Sequence, residues 1–484
     1  MRRQKKKAKR VSNDTVKTID QGVKIMSSNP PRKAKENIFI RFRNRMRRFL
    51  TQGYYDYSLI FLVLCLCLFG IMMVYSTTSY SDIQLGRSEW YSTYKQFRTL
   101  ILCVIGMFII SMVNYHMYGK FVFVAIYVVL LGLFIALMIR GTTANASQRW
   151  LNLGPFYIQP SEIAKPGIIV MLASFLNAKY GVMMRKQRNQ KREIHVKEEN
   201  KKRERAGMPK LRVKEEAMEY GMFGRFSRNN LFFIGGFLLM SPFLILIVSE
   251  NLSTAIIVFL IIFGMFFIVS DKKKIFAVMV IAMILFILIV ILRIRETGSF
   301  PLMKDYQVTR IKMWLDPDSD PAGNGYQILQ GLYTIGSGGL FGRGLGSSVQ
   351  KLGLLPEAQN DMVFCIICEE LGLFGAMLVL FVFALLLWRI LFIIRNAPDY
   401  HGFLLAVGIF LHFSFQILMN IAVTTNMMPN TGVILPFISN GGSALMASMA
   451  EVGILLNISR KIRIKQLDRE LRAIEDLSDE GPEG

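Results

Sequence analysis

The stretch from Arg310 to Gly372 reads RIKMWLDPDSDPAGNGYQILQGLYTIGSGGLFGRGLGSSVQKLGLLPEAQNDMVFCIICEELG and lies between long apolar runs. It is rich in glycine, which permits backbone conformations closed to other residues and lets main chain approach a ligand closely. A loop of this length is either functional or disordered. Apolar residues also recur along it: Leu329, Leu332, Ile335, Leu340, Leu345 and Leu352. Because their spacing argues against disorder, we expect this stretch to hold the active region.

The apolar runs on both sides have the length of membrane spans, about 18–25 residues. Ten runs occur, at approximately 58–76, 99–113, 120–139, 163–178, 230–249, 252–270, 275–293, 362–394, 402–424 and 441–457. The chain has 484 residues, of which 52% are hydrophobic, more than in an ordinary soluble protein. The sequence therefore predicts an all-α polytopic membrane protein with about ten transmembrane helices.

Lysine and arginine set the predicted orientation. The net charge of +24 is concentrated in a few segments between the runs: 1–50, 179–228, 271–274 and the region after 458. These segments fall on one side, which the positive-inside rule makes the cytoplasm. We interpret the basic blocks as solvated segments that face an anionic leaflet of membrane lipids, and not as a nucleic-acid surface. Both termini are then cytoplasmic, and 77–98, 140–162, 294–361 and 425–440 are outside.

The predicted organisation has three parts. A basic cytoplasmic tail covers 1–50, a membrane domain covers 51–460, and a polar cytoplasmic tail covers 461–484, where we expect a short helix followed by disorder. The membrane domain includes a basic cytoplasmic loop at 179–228 and a large extracellular loop at 294–361, between spans 7 and 8. The run at 362–394 exceeds one span, and Glu369, Glu370 and Gly372 in its first half predict that it lines a cavity.

Polar residues form three predicted outer clusters. In the first, Ser161 is placed to cap a helix with Glu162 in its first turn, but a cap does not explain Arg149 or Lys165. In the third, Pro436 to Ser443, a helix cap and a phosphate site are equally open.

The second cluster places the Asp320 carboxylate on a sharply turned segment. For the neighbouring Asp316 and Asp318 we favour a purely structural turn role. Downstream, the spacing of Glu357, Asp361, Cys365 and Glu369 would align them on one face if the segment were helical.

The chain carries no pattern of a known soluble enzyme. His116, His195, His401 and His412 are the four histidines, and none falls in a predicted outer cluster. Cys365 and Cys368 have CxxC spacing without a second pair nearby, so a metal or redox role is weakly indicated. We see no dedicated metal site, although a divalent cation (Mg or Mn) is compatible with the chemistry. Carboxylates must therefore carry any acid–base step.

The segments QRWLNLGPFYIQPSEIAK, DPAGNGYQ, GSGGLFGRGLGSSVQKLGLLPEAQNDMVF, EELGLFGA and LPFISNGGSA together resemble the SEDS family (shape, elongation, division, sporulation). The resemblance covers about residues 55–460 and is strongest to the cell-division member, with the elongation and sporulation members as alternatives. Asn440 stands where the family usually has Tyr, and Ser249 to Thr254 departs from the usual QPDLGT.

The resemblance implies ten spans and an inverting peptidoglycan glycosyltransferase that uses lipid II. By position, Asp320 matches the family's essential extracellular aspartate, which we expect to act as general base with its pKa raised in a partly dry cleft. The matching polar cavity residues, expected to bind substrate, are Arg149, Glu162, Lys165, Arg310, Lys351, Glu357 and Asp361. We also expect the glycine-rich loop 336–346 to order over the sugar.

The implied partners are a class B penicillin-binding protein, which is a transpeptidase, and other division proteins, in the bacterial plasma membrane at the septum. Two other classes of function remain open from the residues alone. Intramembrane charge also fits a lipid II flippase, and the basic tail fits a division scaffold without activity of its own. The acidic clusters on the outer side, away from the midplane, favour the enzyme.

Overall fold

The computed structural model describes residues 55–119, 121–144, 147–153, 156–205, 252–301 and 303–479. The α-helices in these ranges are α1 (Tyr57–Gln84), α2 (Tyr91–Met112), α3 (Phe121–Arg140), α4 (Pro160–Arg205), α5 (Leu252–Val269), α6 (Lys273–Thr297), α7 (Asp305–Leu315), α8 (Tyr326–Ser337), α9 (Val363–Arg395), α10 (Tyr400–Thr424) and α11 (Gly442–Asp479). Two short 3-10 helices cover Tyr115–Gly119 and Pro317–Ser319. The prediction of an all-α polytopic fold is confirmed.

The predicted spans coincide with these helices. Within the described ranges, seven helices are long and apolar enough to cross a membrane: α1, α2, α5, α6, α9, α10 and the part of α11 at Gly442–Ile462. Two further predicted spans, 120–139 and 163–178, fall on α3 and on the first part of α4. The remaining run, 230–249, lies outside the described residues, as do the basic tail 1–50 and the departure at Ser249 to Asn251.

Two helices continue past the predicted membrane boundary. The α4 helix runs on to Arg205, so the first part of the predicted basic loop is helical, and residues 206–228 lie outside the described ranges. The α11 helix continues to Asp479, so the expected short helix with a disordered end is wrong up to that residue. Successive good helix formers allow both helices to propagate beyond the apolar segment.

A small sheet precedes α4 and was not predicted. Its strands are β1 (Thr142–Ala144), β2 (Ser147–Leu153) and β3 (Phe156–Ile158), antiparallel in the order β1-β2-β3. Thr142 pairs with Trp150, and Leu151 pairs with Ile158. The sheet fixes the course of the chain into α4, the helix that carries Glu162 and Lys165.

The core is organised around α10. Leu404, Leu405, Ala406, Ile409 and Phe413 are fully buried and lie on several faces of this helix. A helix that is apolar all round is buried on all sides, and α10 packs against α4, α5, α9 and α11. In contrast, only 6% of the apolar window of α6 is buried, which is expected of a helix surrounded by lipid.

The predicted topology is supported by contacts between segments on the same side. On the predicted outer side, the Asn440 amide donates to the Gln359 carbonyl at 2.9 Å, which joins 425–440 to 294–361. On the predicted cytoplasmic side, Tyr115 donates to Asp399 and Lys461 donates to Asn114. The alternation of spans that the sequence predicts is therefore compatible with the fold.

Candidate active site

The α9 helix is interrupted on the predicted outer side. At Gly372 φ is 68° and ψ is −169°, a left-handed extended conformation that favours glycine. Such a break removes the helical bonds from residues 373 and 374 to residues 369 and 370. The segment 339–344, which we call the glycine strap, supplies new partners for the backbone groups that lose these helical bonds. Four backbone bonds do so: Arg343 N to Glu369 O, 2.9 Å; Gly344 N to Glu370 O, 2.9 Å; Leu373 N to Gly339 O, 3.0 Å; and Phe374 N to Leu340 O, 3.2 Å.

The strap and the broken helix pack backbone against backbone. A Cβ atom placed on Gly372 would lie 2.3 Å from the Gly342 amide nitrogen, closer than atoms tolerate. Two glycines of the predicted loop 336–346, Gly338 and Gly342, therefore serve close packing in this conformation. Backbone groups of this loop complete α9, and its ordering over a sugar stays a prediction.

The break holds two fully buried carboxylates, Glu369 and Glu370. Ser348 donates its hydroxyl proton to Glu369, and the Arg343 guanidinium lies 3.6 Å from Glu369. Glu370 accepts from Ser76 of α1 at 2.5 Å and pairs with Lys351 at 3.0 Å. Two cations thus balance two carboxylates, as buried charges require.

Lys351 uses its ammonium group inside this cluster. The Nζ atom bonds the Ser76 hydroxyl at 2.9 Å, the Gly346 carbonyl at 2.6 Å and Glu370 at 3.0 Å. An ammonium group has three protons, so each is engaged and none is left for a substrate in this conformation. Removing Lys351 alone would leave Glu370 buried without its charge partner, which costs about 3–5 kcal/mol.

Glu162 and Lys165 form a second buried pair at the start of α4. Their side chains are 2.8 Å apart, and that of Lys165 is only 1% exposed. Lys165 also donates to Gln416 of α10 at 2.9 Å. Because α4 begins at Pro160, Ser161 lies inside the first turn and is not the residue before it.

Hydrogen bonds near this pair connect the first and the third predicted outer clusters. The Ser443 hydroxyl accepts from the Gln159 amide at 3.0 Å and donates to the Tyr157 carbonyl at 3.2 Å. Ser443 therefore ties the start of α11 to the start of α4. Arg149 lies in β2, and its side chain is outside what the structure describes.

Asp320 sits between the 3-10 helix and α8, partly exposed. Its Oδ2 accepts from the Asn324 amide at 2.8 Å and from the Asn324 side chain at 3.0 Å. These bonds hold the pKa of Asp320 below its usual value. The expected increase by desolvation is wrong here, because the carboxylate faces solvent and its described partners are all on its own turn. Asp316 caps the 3-10 helix through its backbone carbonyl, whereas Asp320 is the aspartate whose side chain bonds within this turn.

Glu357 and Asp361 precede α9 and are not helical. Glu357 has a φ of 55° and accepts from the Asn360 side chain at 2.6 Å. The proposed alignment of these two residues with Cys365 and Glu369 on one helical face is therefore wrong: α9 begins at Val363, and the turns before it change the direction of the chain.

Asp361 is only 8% exposed, and its Oδ1 has no hydrogen-bond partner within the described residues. Burial, and next the negative charge of Glu357, raise the pKa of Asp361 to about 7, although the Arg310 charge acts in the opposite direction. Asp361 is thus a carboxyl group that changes protonation near neutral pH.

Arg310 lies on α7 beside an apolar cavity of about 560 Å³, which we call the α5–α7 cavity. Its guanidinium donates to the Asn430 carbonyl at 3.0 Å, and the Trp314 ring donates to the Asn426 carbonyl at 3.0 Å. The other walls come from α5, α6 and the segment 427–431. An apolar space with a guanidinium at its edge suits a long hydrocarbon with an anionic head.

A second cavity of about 640 Å³ lies between α2 and the start of α11, and we call it the α2–α11 cavity. Lys95 and Arg98 line it together with Trp150, Asn360 and Asn440. Asn440, the departure from the usual tyrosine, therefore faces this cavity. Asn360 lies next to Asp361, which feels the charge of Arg310. The segment 357–361 therefore lines the α2–α11 cavity through Asn360 and interacts electrostatically through Asp361 with Arg310 beside the α5–α7 cavity.

The sequence pattern of one family, the FtsW, RodA and SpoVE cell cycle proteins, matches residues 57–198 and 219–464. The chain belongs to this family. The stage V sporulation protein E of Bacillus subtilis (strain 168) is 33% identical over 412 residues, which cover 84% of this chain and 98% of that protein. The probable peptidoglycan glycosyltransferase FtsW of Tolumonas auensis is 32% identical over 424 residues, 85% of this chain and 94% of that protein.

Solved structures agree on the fold. A chain from a peptidoglycan synthase complex superimposes with a TM-score of 0.59 at 23% identity, covering 85% of this chain and 99% of its own length. The rod shape determining protein RodA of Thermus thermophilus superimposes with a TM-score of 0.53 at 22% identity, covering 84% and 97%. The SEDS-like fold expected from the sequence is confirmed.

Sequence reasoning missed several polar residues that the structure brings to these clusters. His412 and Glu451 are buried and joined to Lys165 through Gln416, although no histidine was placed in an outer cluster. Ser76 reaches Glu370 from a helix 294 residues away in sequence. A polar residue inside an apolar run was the available signal, because such residues are costly at membrane depth and find partners. The partner itself cannot be identified without the helix packing.

Proposed function

We propose that this chain is a peptidoglycan glycosyltransferase that joins lipid II disaccharide units into glycan strands during bacterial cell division. The 4-hydroxyl oxygen of one lipid-linked sugar attacks the anomeric carbon of a second. The new glycosidic bond forms as the bond to undecaprenyl pyrophosphate breaks, with inversion at that carbon. Asp320 takes the hydroxyl proton, and the pyrophosphate leaves with its negative charge.

The observation that carries this proposal is the pair of cavities. Polymerisation needs two lipid-linked sugars at once, whereas a flippase moves one. The α5–α7 and α2–α11 cavities have similar volumes, about 560 and 640 Å³, and each combines apolar walls with cationic side chains. The segment 357–361 lines one cavity through Asn360 and interacts through Asp361 with the Arg310 charge at the other, and we expect the donor and acceptor head groups to meet at this segment.

The contacts of each candidate residue indicate its role in the reaction. Arg310 is exposed at its cavity and can neutralise the departing pyrophosphate, since such catalysis consists largely of placing charge where charge develops. Lys165 serves the same purpose from the buried pair with Glu162, with Arg149 of β2 as a further cation. Lys351 acts indirectly, because it holds Glu370 and thereby the broken α9 helix. Glu357 and Asp361 contact the sugars.

Asp320 must leave its resting contacts to act as base. In the resting turn Asn324 satisfies Oδ2, and a hydrogen-bonded carboxylate of low pKa accepts protons poorly. Substrate binding therefore has to break the Asn324 bonds and exclude water from the turn. Asn324→Ala is expected to weaken this restraint without removing the carboxylate.

The test uses purified protein with lipid II in detergent, where there is no membrane to cross. A polymerase makes glycan chains longer than one disaccharide, which gel electrophoresis resolves. A flippase or a scaffold makes none under these conditions. Absence of product from folded protein, with and without its partner, would reject the proposal.

The proposed partner is a class B penicillin-binding protein at the septal membrane, which cross-links the strands. We propose that the partner contacts α9, where Leu373, Phe374, Met377, Leu378 and Phe381 are exposed. The neighbouring span α10 is mostly buried and offers less surface. Because backbone hydrogen bonds join the glycine strap to α9, we expect the partner to act on both together.

The measurement compares lipid II polymerisation with and without a co-purified, transpeptidase-inactive partner. We expect the partner to raise the rate by shifting the population of the active conformation. Phe374→Ser should weaken co-purification, and the matched exposed change Phe267→Ser on α5 should not. Equal rates with and without partner would reject this mode of regulation and leave the polymerase proposal standing.

A further inference from the structure

A chain of five polar side chains crosses the interior between three helices: Glu162 and Lys165 of α4, Gln416 and His412 of α10, and Glu451 of α11. All are buried, and the last four are at most 1% exposed. Lys165 donates to Gln416 Oε1 at 2.9 Å, and His412 Nε2 lies 2.6 Å from the same oxygen. His412 Nδ1 lies 2.9 and 2.8 Å from the two oxygens of Glu451.

The neighbours of Gln416 fix the orientation of its amide. The Nε2 atom donates to the Ile434 carbonyl at 3.1 Å, and a carbonyl can only accept. The Oε1 atom faces the Lys165 ammonium, which can only donate. Both contacts are satisfied by one orientation, and the reversed amide would satisfy neither.

This orientation fixes a proton on His412. Because Gln416 Oε1 is an acceptor, His412 Nε2 carries a hydrogen. A proton must also lie between Nδ1 and Glu451, since a lone pair and a carboxylate would otherwise face each other at 2.8 Å. The His412–Glu451 pair therefore shares a proton and holds Nε2–H pointed at Gln416.

We propose that His412 and Glu451 are positioning residues that act through Gln416 to hold the Lys165 ammonium in the active site. Without Glu451, nothing holds Nδ1, and the His412 ring is free to turn and take its Nε2 hydrogen away from Gln416 Oε1. Gln416 then loses a partner that fixes its position and can shift with the ring. The acceptor of Lys165 shifts with it, although neither positioning residue touches the substrate.

Energetics support a positional role over a purely stabilising one. A buried ionic pair adds little stability compared with apolar side chains of the same volume. A hydrogen-bonded chain does define one arrangement of its members, because each side chain is held by specific donors and acceptors of its neighbours. The same Gln416 side chain also bonds the segment 425–440 through Ile434, so the chain links α4, α10, α11 and an outer loop.

The inference rests on the proposed polymerase activity, and its first test compares Glu451→Leu with Glu451→Gln. A glutamine at 451 can donate to Nδ1 and keep Nε2–H on Gln416, so we expect kcat and KM within about twofold of wild type. Leucine removes the partner, and we expect kcat to fall by about tenfold to a hundredfold, as for a group misplaced by about 1 Å. KM should change by less than about threefold.

A matched histidine on the same helix controls for a general loss of packing. His401 is buried on α10, eleven positions from His412, and lies 3.4 Å from Ser174. His412→Phe should lower kcat as Glu451→Leu does, whereas His401→Phe should leave kcat unchanged. Equal loss in both phenylalanine variants, or equal loss in Glu451→Gln and Glu451→Leu, would overturn the proposal.

A second readout does not depend on activity. In ¹⁵N NMR of labelled histidine, the His412 signal, assigned as the one missing from His412→Phe, should show a proton on Nε2 in the wild type and in Glu451→Gln. In Glu451→Leu the Nε2 hydrogen should remain but exchange faster with solvent, because the ring is no longer held against Gln416. An unprotonated Nε2 in the wild type would overturn the inference even if the chain polymerised lipid II. The expected spectra from a wild type without polymerase activity would instead reject only the proposed function.

Discussion

The turn that carries Asp320 and the segment 357–361 both belong to the predicted outer loop, yet they treat their carboxyl groups in opposite ways. Asp320 faces solvent and accepts two hydrogen bonds from Asn324, and its pKa is lowered. Asp361 is buried, one of its oxygens has no hydrogen-bond partner among the described residues, and its pKa is raised to about 7. Two aspartates of one loop therefore hold their protons in different pH ranges because their surroundings differ.

The difference shows that membership of a sequence motif does not by itself determine the proton affinity of a residue. The resemblance points to Asp320, whereas the resting environment makes Asp361 the carboxyl group poised near neutral pH. A general base works best when its pKa is near the working pH. Either Asp320 changes surroundings when substrate binds, or Asp361 takes the proton. The following experiments separate these two possibilities.

The largest effect is expected from Asp320→Asn, which should abolish glycan synthesis in the lipid II assay. Asparagine keeps an oxygen that can accept from Asn324, so the turn and the thermal midpoint should stay near wild type. An exposed substitution of this kind usually changes the free energy of unfolding by about 0.5 kcal/mol or less.

The neighbouring aspartates provide the control for Asp320. Asp316→Asn and Asp318→Asn change the same charge on the same exposed segment and should have mild effects on the rate. Normal polymerisation by Asp320→Asn would show that Asp320 is not the base and would favour Asp361.

A smaller effect is expected from Asp361→Asn, which should raise the polymerisation rate about tenfold over wild type, and only above about pH 7. There the wild-type Asp361 is charged and opposes the action of Arg310 on the departing pyrophosphate, and such an interaction between charges near a protein surface is worth roughly 1–2 kcal/mol. The wild-type rate should therefore fall as the pH rises from about 6 to about 8, and the asparagine variant should not show this fall.

The opposite pH profile would change the assignment. A wild-type rate that increases through pH 7, and an increase that disappears in Asp361→Asn, would identify Asp361 as the base. Glu357→Gln serves as the comparison, since it removes a nearby negative charge and should lower the midpoint of the Asp361 transition.

The sequence predicted the span pattern because apolar length and basic loops report membrane depth and side directly. It placed Glu162 and Lys165 in one polar cluster but did not predict that they pair. It also aligned residues between Glu357 and Glu369 on one helical face, which is wrong because the chain before Val363 is not helical. The backbone of Glu357 has a positive φ, and the break at Gly372 is filled by a distant strap. Neither feature can be read from local periodicity, because both are produced by long-range packing.

Thermal stability should reveal the same contrast between Asp361 and Asp320, with opposite signs. For Asp361, the folded pKa of about 7 exceeds the ordinary 3.8, so the folded state retains a proton that the unfolded state loses. Wild-type stability should then fall relative to Asp361→Asn as the pH rises from about 4 to about 7. For Asp320, whose folded pKa is lowered, wild-type stability should fall relative to Asp320→Asn as the pH decreases below about 4.

Thermal midpoints in detergent between pH 3 and pH 8 measure both differences. The Asp320 difference should be the smaller one, since water screens an exposed group. Curves for Asp361→Asn that run parallel to wild type across this range would show that Asp361 is not held protonated, and the contrast between the two regions would be lost.

The smallest effect is expected from deletion of residues 1–40. This segment is rich in lysine and arginine, lies outside the described residues, and is predicted to face the cytoplasm, whereas Asp320 and Asp361 are predicted to face outward. Polymerisation of lipid II in detergent should be unchanged. Binding to vesicles that contain anionic lipid should weaken, at roughly 1 kcal/mol for each basic residue removed from the surface. Since detergent contains no anionic surface, a loss of polymerisation by the folded truncation would mean that the tail contributes to the catalytic domain directly, and the two outer carboxylates would no longer be sufficient to explain the activity.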